Sequence, residues 1–209
     1  MSAGREERPS RRVWIVGVAV VAVLAYVTLN SLRSEGPGSR GLQAGASVPE
    51  FAVPLALSDL QGDANVAQPG RDASRSACDV RGARVLNVCQ LVERGPLVLA
   101  FVPAREGDCD RQLDRLERVR RAFPQVGFAA VAGGGDRDAL RALIRKRGWR
   151  FPVGYDRHGD VFALYGIAVC PTLVLTYPGG KTRETRLGLE SEVSLRRAVQ
   201  ALRATKGRA

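Results

Sequence analysis

The sequence feature that most constrains the fold is an uninterrupted apolar run at residues 96–102 (PLVLAFV). A run without polar alternation is expected for a strand that is covered on both faces of its sheet. A second strand is predicted at residues 126–132. Between the two, residues 110–122 place Leu113, Leu116 and Val119 at helical spacing, with charged residues elsewhere. This pattern predicts a central sheet that carries helices on its faces.

The alternation of helix and strand continues to the C-terminus. We predict helices at 136–147, 161–167 and 191–203, strands at 172–177 and 182–189, and a turn at 178–180. The order β-α-β-α-β-β-α is typical of a mixed α/β sandwich. Upstream, a polar insertion at residues 58–95 contains two short β-prone runs around Arg81 and Gly82, which predict a hairpin within residues 77–91.

The N-terminal region predicts a membrane anchor. Residues 13–29 carry no charge, and with residues 30–32 they reach about the 20 residues that cross ~30 Å of hydrocarbon. We therefore predict a basic cytoplasmic tail at 1–12, a transmembrane helix at 13–32, a flexible Gly/Ser-rich linker at 33–47, an extracytoplasmic domain at 48–203 and a tail at 204–209. The alternative is a signal peptide that is cleaved near Ala44–Ala46, but its apolar core would be too long.

Composition argues against several classes of function. Lys and Arg outnumber Asp and Glu by 32 to 21, yet no nucleic-acid-binding motif accompanies the net charge of +11. The arginine-rich helices are interpreted as solvated surfaces. A single histidine, His158, is predicted in a turn and leaves little material for a histidine metal site or a Ser-His-Asp triad. We predict no cofactor and no metal.

Four cysteines stand at positions 78, 89, 109 and 170. In an extracytoplasmic chain this number is expected to form two disulfides, for which three pairings exist. Cys78 and Cys89 flank the predicted hairpin, and we interpret them as a structural disulfide. A zinc site made from all four cysteines is disfavoured because the short C-x-x-C spacings are absent.

Two motifs carry a resemblance to a known family. Residues 101–109 (FVPAREGDC) follow the central strand, and Cys170-Pro171-Thr172 precedes a later one. With the order of elements, they make residues 48–203 resemble the thioredoxin fold, and more closely the membrane-anchored TlpA-like and redoxin (AhpC/TSA-related) proteins. The resemblance implies a three-layer α/β/α sandwich with a mixed central sheet and a cis peptide bond at Pro171.

The first motif is degenerate. Against the family pattern F-W-A-x-W-C-x-x-C, Glu106 occupies the place of the nucleophilic cysteine and Cys109 that of the resolving one. Because a carboxylate cannot attack a disulfide, the ordinary dithiol cycle cannot run between these two positions. Glu106 is interpreted as an acidic residue at a helix N-terminus, with proton transfer beside the cysteines as the alternative.

The resemblance implies that the loop before Pro171 lies against the active-site helix, so that Cys170 approaches Cys109. The two would form a relocated redox pair, with Glu106 and Pro171 in the same site. We therefore predict a thiol–disulfide oxidoreductase whose partners are extracytoplasmic protein thiols or disulfides, or a membrane redox partner. One alternative is a non-catalytic binding module in which both disulfides are structural. The other is a peroxiredoxin-like peroxidase that uses Cys109, because Phe101 and Pro103 also echo the peroxiredoxin loop.

Overall fold

The structure is a computed structural model that describes residues 11–33, 40–66 and 76–204. The chain divides into two units, residues 1–36 and residues 37–209, which we describe separately. Except for residues 11, 12 and 204, the tails predicted at 1–12 and 204–209 lie outside the described residues.

The first unit contains one helix, α1, over Arg11–Arg33. Its described apolar side chains are exposed, with Trp14 at 68% and Tyr26 at 71%. The segment predicted to cross a membrane, residues 13–32, lies within α1. Within the described residues, no helix combines the length and the apolarity that crossing a membrane requires.

The second unit contains eight strands and five α-helices within its described residues. In chain order they are β1 (Phe51–Pro54), β2 (Asn65–Val66), β3 (Val85–Asn87), α2 (Val88–Arg94), β4 (Leu97–Pro103), α3 (Arg111–Arg120), β5 (Gly127–Gly133), α4 (Arg137–Arg147), β6 (Val153–Asp156), α5 (Asp160–Leu164), β7 (Thr172–Thr176), β8 (Thr182–Leu187) and α6 (Glu192–Ala204).

The main sheet has five strands in the order β6-β5-β4-β7-β8. β4 pairs in parallel with β5 and β5 with β6, whereas β7 is antiparallel to both β4 and β8. The predicted mixed sheet is therefore confirmed. Strand β6 was not predicted, because Pro152 and Gly154 interrupt its short pattern. A smaller antiparallel sheet has the order β2-β1-β3.

The central strand β4 is covered on both faces, as its apolar run predicts. Residues 97, 99 and 101 of this strand join a cluster with Val92 of α2 and Val161 of α5. Residues 98, 100 and 102 join a second cluster with Leu113 of α3, Leu140 of α4 and Leu195 of α6. Since strand side chains alternate between faces, one continuous apolar run supplies both cores.

The hairpin predicted within residues 77–91 is wrong. The segment contains a 3₁₀ helix over Ala77–Asp79, then β3, which pairs with β1, and then α2. The physical reason is a helix cap at Asn87. Its side chain accepts a hydrogen bond from the Gln90 N–H at 3.2 Å and starts α2 where a second hairpin strand was expected.

The linker predicted at residues 33–47 is wrong for its last eight residues. The Gly41 N–H donates to the Gly166 carbonyl at 3.1 Å, and the Gly45 N–H donates to the Thr182 carbonyl at 2.7 Å. Leu42 is buried at 6% exposure. One apolar side chain and these backbone pairings attach residues 40–47 to the domain. Residues 34–39 lie outside the described part of the chain.

Candidate functional site

The sheet topology brings two distant cysteines to one edge. Strand β4 ends where β7 begins, because the two are antiparallel neighbours with Phe101 opposite Thr172. The segment that leaves β4 carries Cys109, and the loop that enters β7 carries Cys170. Their Cα atoms lie 5.7 Å apart, and their sulfurs form a disulfide across 61 positions of sequence. This separation of Cα atoms is the usual one for a disulfide.

The two sulfur-bearing residues differ in exposure. Cys109 lies in the turn before α3 and is half-buried against the core, whereas Cys170 is exposed. The peptide bond between Cys170 and Pro171 is cis. A partner that approaches from solvent therefore meets Cys170 first.

The loop that carries Cys170 is held from both sides. The Thr172 hydroxyl is buried and donates to the Val169 carbonyl at 2.6 Å. The Pro171 carbonyl accepts a hydrogen bond from the Gly188 N–H, just beyond β8, at 2.8 Å. These bonds fix the backbone on either side of Cys170, although Cys170 itself is an exposed residue.

The structure places Glu106 near the site but ties it to helix α4. Its carboxylate oxygens accept hydrogen bonds from Lys146 Nζ at 2.9 and 3.1 Å, and Arg147 Nη2 lies at 3.4 Å. The hydrogen bond and charge of Lys146, with a smaller contribution from Arg147, lower the pKa of Glu106 below its ordinary value. Within the described residues its polar contacts are to α4 and to neither cysteine.

The sequence analysis missed an acidic residue next to Cys109. Asp110 is 1% exposed, and its Oδ2 lies 2.8 Å from Arg147 Nη2. Arg147 Nη1 also pairs with Asp114 Oδ2 at 2.9 Å. The signal was present in the sequence: Asp110 and Asp114 are four residues apart at the start of the helix predicted at 110–122, which places them on one side of it. Through these two ion pairs, Arg147 of α4 holds the segment that carries Cys109 against α4.

A cavity of about 280 Å³ adjoins Cys170. Its walls are mainly apolar and include Pro103, Phe162, Ile167 and Val169. Arg105 is the charged residue on its lining. A side chain at Gly133 would place its Cβ 2.6 Å from the Phe162 ring, so glycine is required there for the ring to form this wall. We call this space the Cys170 cavity.

The second disulfide joins Cys78 to Cys89, whose Cα atoms are 5.5 Å apart. Both residues are half-buried. Asn87 is 2% exposed, and its amide donates to the Ala77 carbonyl at 2.8 Å and the Val80 carbonyl at 2.9 Å. This disulfide therefore closes a short loop whose backbone is held by an independent polar anchor.

His158 lies in the turn between β6 and α5, and its Nδ1 contacts the Asp63 carboxylate. With Asp160 these residues bring their ligand atoms within 4.8 Å of one another. Among the described residues they form one of two groups whose geometry could hold a metal ion, and all three are exposed or half-exposed. A second group, Glu50 with Cys78 and Cys89, cannot ligate through sulfur while its cysteines are joined.

The sheet order, the cis-proline loop and the cysteine in the turn before α3 define a thioredoxin-like fold. No protein-family model matches the chain, and no curated protein matches it. Solved structures do match, and they include disulfide oxidoreductases and a peroxidoxin.

Three of these structures illustrate the likeness. A secreted disulfide oxidoreductase of Mycobacterium tuberculosis, described as homologous to E. coli DsbE, has a TM-score of 0.52 at 23% identity over 56% of this chain and 89% of its own. A DsbE-type thiol:disulfide interchange protein of Chlorobium tepidum has a TM-score of 0.60 at 17% identity over 77% and 98%. The peroxidoxin BcpB of M. tuberculosis has a TM-score of 0.58 at 16% identity over 78% and 97%. At these identities the likeness establishes the fold.

Proposed function

We propose that this chain is a thiol–disulfide oxidoreductase whose redox pair is Cys109 and Cys170. The observation that carries the proposal is a disulfide with one exposed sulfur-bearing residue, Cys170, at the edge of the sheet where the β4 and β7 loops meet. The DsbE-like neighbours support a redox role for the fold. Glu106 has no part in the exchange, because it is paired with Lys146.

The exchange needs two sulfur nucleophiles in sequence. In the reducing direction, the Cys170 thiolate attacks a client disulfide, forms a mixed disulfide and releases one client thiolate. The Cys109 thiolate then attacks Cys170 Sγ, which releases the second client thiolate and restores the Cys109–Cys170 bond. The client gains two electrons and two protons, and the protein loses them. The same steps in reverse oxidise a client dithiol.

Single cysteine variants test this order. Cys170→Ser should lower interchange with an insulin or peptide disulfide by at least about 100-fold, because the attacking sulfur is lost. Cys109→Ser should instead accumulate a mixed disulfide at Cys170, detectable by mass spectrometry. The double variant Cys78→Ser/Cys89→Ser is the matched control and should retain interchange. Unchanged activity in Cys170→Ser would eliminate the mechanism.

Two other functions give different results in the same assays. A binding module with two structural disulfides is favoured by the substitution of Glu106 for the expected nucleophile, and it predicts that both disulfides resist mild reductant. A peroxidase that uses Cys109 predicts a sulfenic acid at Cys109 when the reduced Cys170→Ser variant, which lacks the thiol that would condense with it, meets peroxide. Selective reduction of the Cys109–Cys170 disulfide would argue against the binding module. The absence of a sulfenic acid at Cys109 would argue against the peroxidase.

We also propose that residues 13–32 anchor the domain to a membrane, with the N-terminus cytoplasmic and residues 48–203 extracytoplasmic. This proposal rests on the uncharged sequence 13–29 and on the arginines that precede it. There the domain would act on extracytoplasmic protein thiols or on a membrane redox partner. Membrane fractionation of the full chain against residues 37–209, with protease added outside, tests both points. Recovery of the full chain in the soluble fraction would overturn the proposal.

A further inference from the structure

Three side chains of the kinds that bind metal ions converge where the insertion meets the start of α5. Asp63 lies just before β2, whereas His158 and Asp160 lie at the turn that leads into α5. Asp63 Oδ1 accepts a hydrogen bond from the Ala64 N–H at 2.8 Å, and its Oδ2 contacts His158 Nδ1. The ligand atoms of all three residues lie within 4.8 Å of one another. Two segments that are distant in the sequence thus bring one imidazole and two carboxylates together.

The turn that carries His158 and Asp160 is held from below by a buried carboxylate. Asp156 is 0% exposed, and its two oxygens accept hydrogen bonds from the four successive N–H groups of residues 159–162, at 3.0–3.2 Å. None of these bonds uses the side chain of His158 or Asp160. The backbone is therefore fixed while both side chains stay free to bind a ligand, and a site with a fixed backbone loses little entropy on binding.

The two carboxylates of this group are not balanced by basic side chains. Within the part of the chain that the structure describes, no lysine or arginine lies within ion-pair distance of Asp63 or Asp160. This is unexpected in a chain with 32 such residues, in which Asp110 and Asp114 both pair with Arg147. Carboxylates held close together repel each other, and a bound cation removes that repulsion. A divalent cation balances both charges.

The donor set indicates the class of metal. Ca²⁺ and Mg²⁺ prefer oxygen ligands alone, whereas an imidazole suits zinc and the later first-row transition metals. Around a tetrahedral zinc ion with bonds of about 2.0–2.2 Å, neighbouring ligand atoms are about 3.3 Å apart. The His158 side chain is 65% exposed and can rotate to open its direct contact with Asp63. Small side-chain movements therefore suffice to form the site.

We propose that Asp63, His158 and Asp160 bind a zinc-type divalent cation, with water in the remaining position. The cation takes the place of the direct contact between His158 and Asp63. It cross-links the insertion to the start of α5, whose Phe162 lines the Cys170 cavity. No sulfur atom takes part, so the inference is independent of the proposed exchange at Cys170.

Calorimetric titration of the oxidised full chain with zinc chloride tests the site. The protein carries no histidine tag, and both disulfides are intact, so that no thiol competes for the metal. One zinc ion should bind per chain, and calcium chloride should bind at least about 10-fold more weakly because one ligand is an imidazole. His158 is the one histidine of the sequence, so its imidazole gives a single set of NMR signals, which should shift as zinc binds.

Ligand variants locate the metal. Asp63→Asn, His158→Gln and Asp160→Asn should each weaken zinc binding at least about 10-fold, since even the loss of an outer partner of a ligand costs roughly 10- to 100-fold. Asp59→Asn is the matched control: Asp59 is an exposed residue of the same insertion that pairs with Arg84, and its loss should leave zinc binding unchanged.

Thermal unfolding gives a second readout. Zinc at 100 times its Kd should raise the melting temperature of wild type and of Asp59→Asn by about 5 °C or more, because it binds the folded state. It should have no such effect on His158→Gln. The inference is overturned if wild type shows no saturable zinc binding, if His158→Gln binds zinc as tightly as wild type, or if calcium binds as tightly as zinc.

Discussion

The two disulfides of this chain have nearly the same backbone geometry and very different surroundings. Their Cα separations are 5.5 Å for Cys78–Cys89 and 5.7 Å for Cys109–Cys170. The first spans 11 positions and is half-buried at both ends, whereas the second spans 61 and leaves Cys170 exposed beside a cavity. The Cα separation therefore does not distinguish a structural disulfide from a reactive one. The exposure of the cysteines, the apolar surface beside them and the hydrogen bonds that hold their loops do distinguish the two.

The largest difference is expected in the rate of reduction. We predict that dithiothreitol reduces Cys109–Cys170 at least about 100-fold faster than Cys78–Cys89, because attack requires access to a sulfur along the S–S axis. Timed alkylation followed by mass spectrometry of the cysteine peptides measures both rates in one sample. Equal rates would remove the distinction between the two disulfides, and faster loss of Cys78–Cys89 would reverse it.

The next effect concerns stability. Cys78→Ala/Cys89→Ala should lower the free energy of unfolding by about 3 kcal/mol, the chain-entropy value for a loop of this length. Denaturant unfolding of the oxidised proteins measures the change, and insulin reduction should stay within about 2-fold of wild type because the redox disulfide is untouched. A stable double variant that has lost interchange would show that this disulfide also takes part in the chemistry.

A smaller loss is expected at the polar anchor of the same loop. Asn87→Ala removes two hydrogen bonds donated to buried carbonyls and one helix cap, so unfolding should become easier by about 2 kcal/mol. Gln61→Ala, at an exposed position, is the control. Thermal unfolding of both variants with both disulfides intact checks the prediction. An Asn87→Ala protein as stable as the control would mean that the disulfide alone holds the loop.

The sequence predicted the sheet better than the segments around it. Strand β4 was predicted because its seven residues are apolar without interruption, the pattern expected for a strand that is covered on both faces. The hairpin prediction was wrong because one capping side chain, Asn87, decides the local structure, and its hydrogen-bond partners are fixed only after folding. The linker prediction was wrong at residues 40–47 for a different reason. These residues are attached to the domain through backbone groups, which glycine and serine have in any linker, so the side chains give no sign of the attachment.

In the candidate site, too, some features could be predicted from the sequence and others could not. The approach of Cys109 and Cys170 followed from the resemblance, and the structure shows why: β4 ends at the edge of the sheet where its antiparallel neighbour β7 begins. The Cys170 cavity did not follow, since its walls come from the ends of β4 and β5, from α5 and the turn before it, and from the loop after α5, and no local pattern encodes how these segments pack together. The spacing of Asp110 and Asp114 could be recognised in the sequence, but Arg147, which pairs with both, lies on another helix.

The smallest effects are expected from one ion pair in the region of each disulfide. Glu106 pairs with Lys146 beside the redox disulfide, and Glu93 pairs with Arg81 in the region of the structural one. A hydrogen bond from the basic partner lowers the pKa of each carboxyl below 4.5. Stability from each pair is therefore present above pH 4.5 and is lost as the pH falls through the lowered pKa.

We predict that Glu106→Gln changes the interchange rate at pH 7 by less than about 3-fold, because exposed ion pairs are weak, and that Glu93→Gln leaves it unchanged. Both variants should be less heat-stable than wild type at pH 7, and the differences should shrink as the pH falls below 4.5. Melting curves between pH 3 and 7 and insulin reduction at pH 7 measure these effects. A large loss of interchange in Glu106→Gln at unchanged stability would contradict the structural role, because it would require the carboxylate to transfer protons to the cysteines.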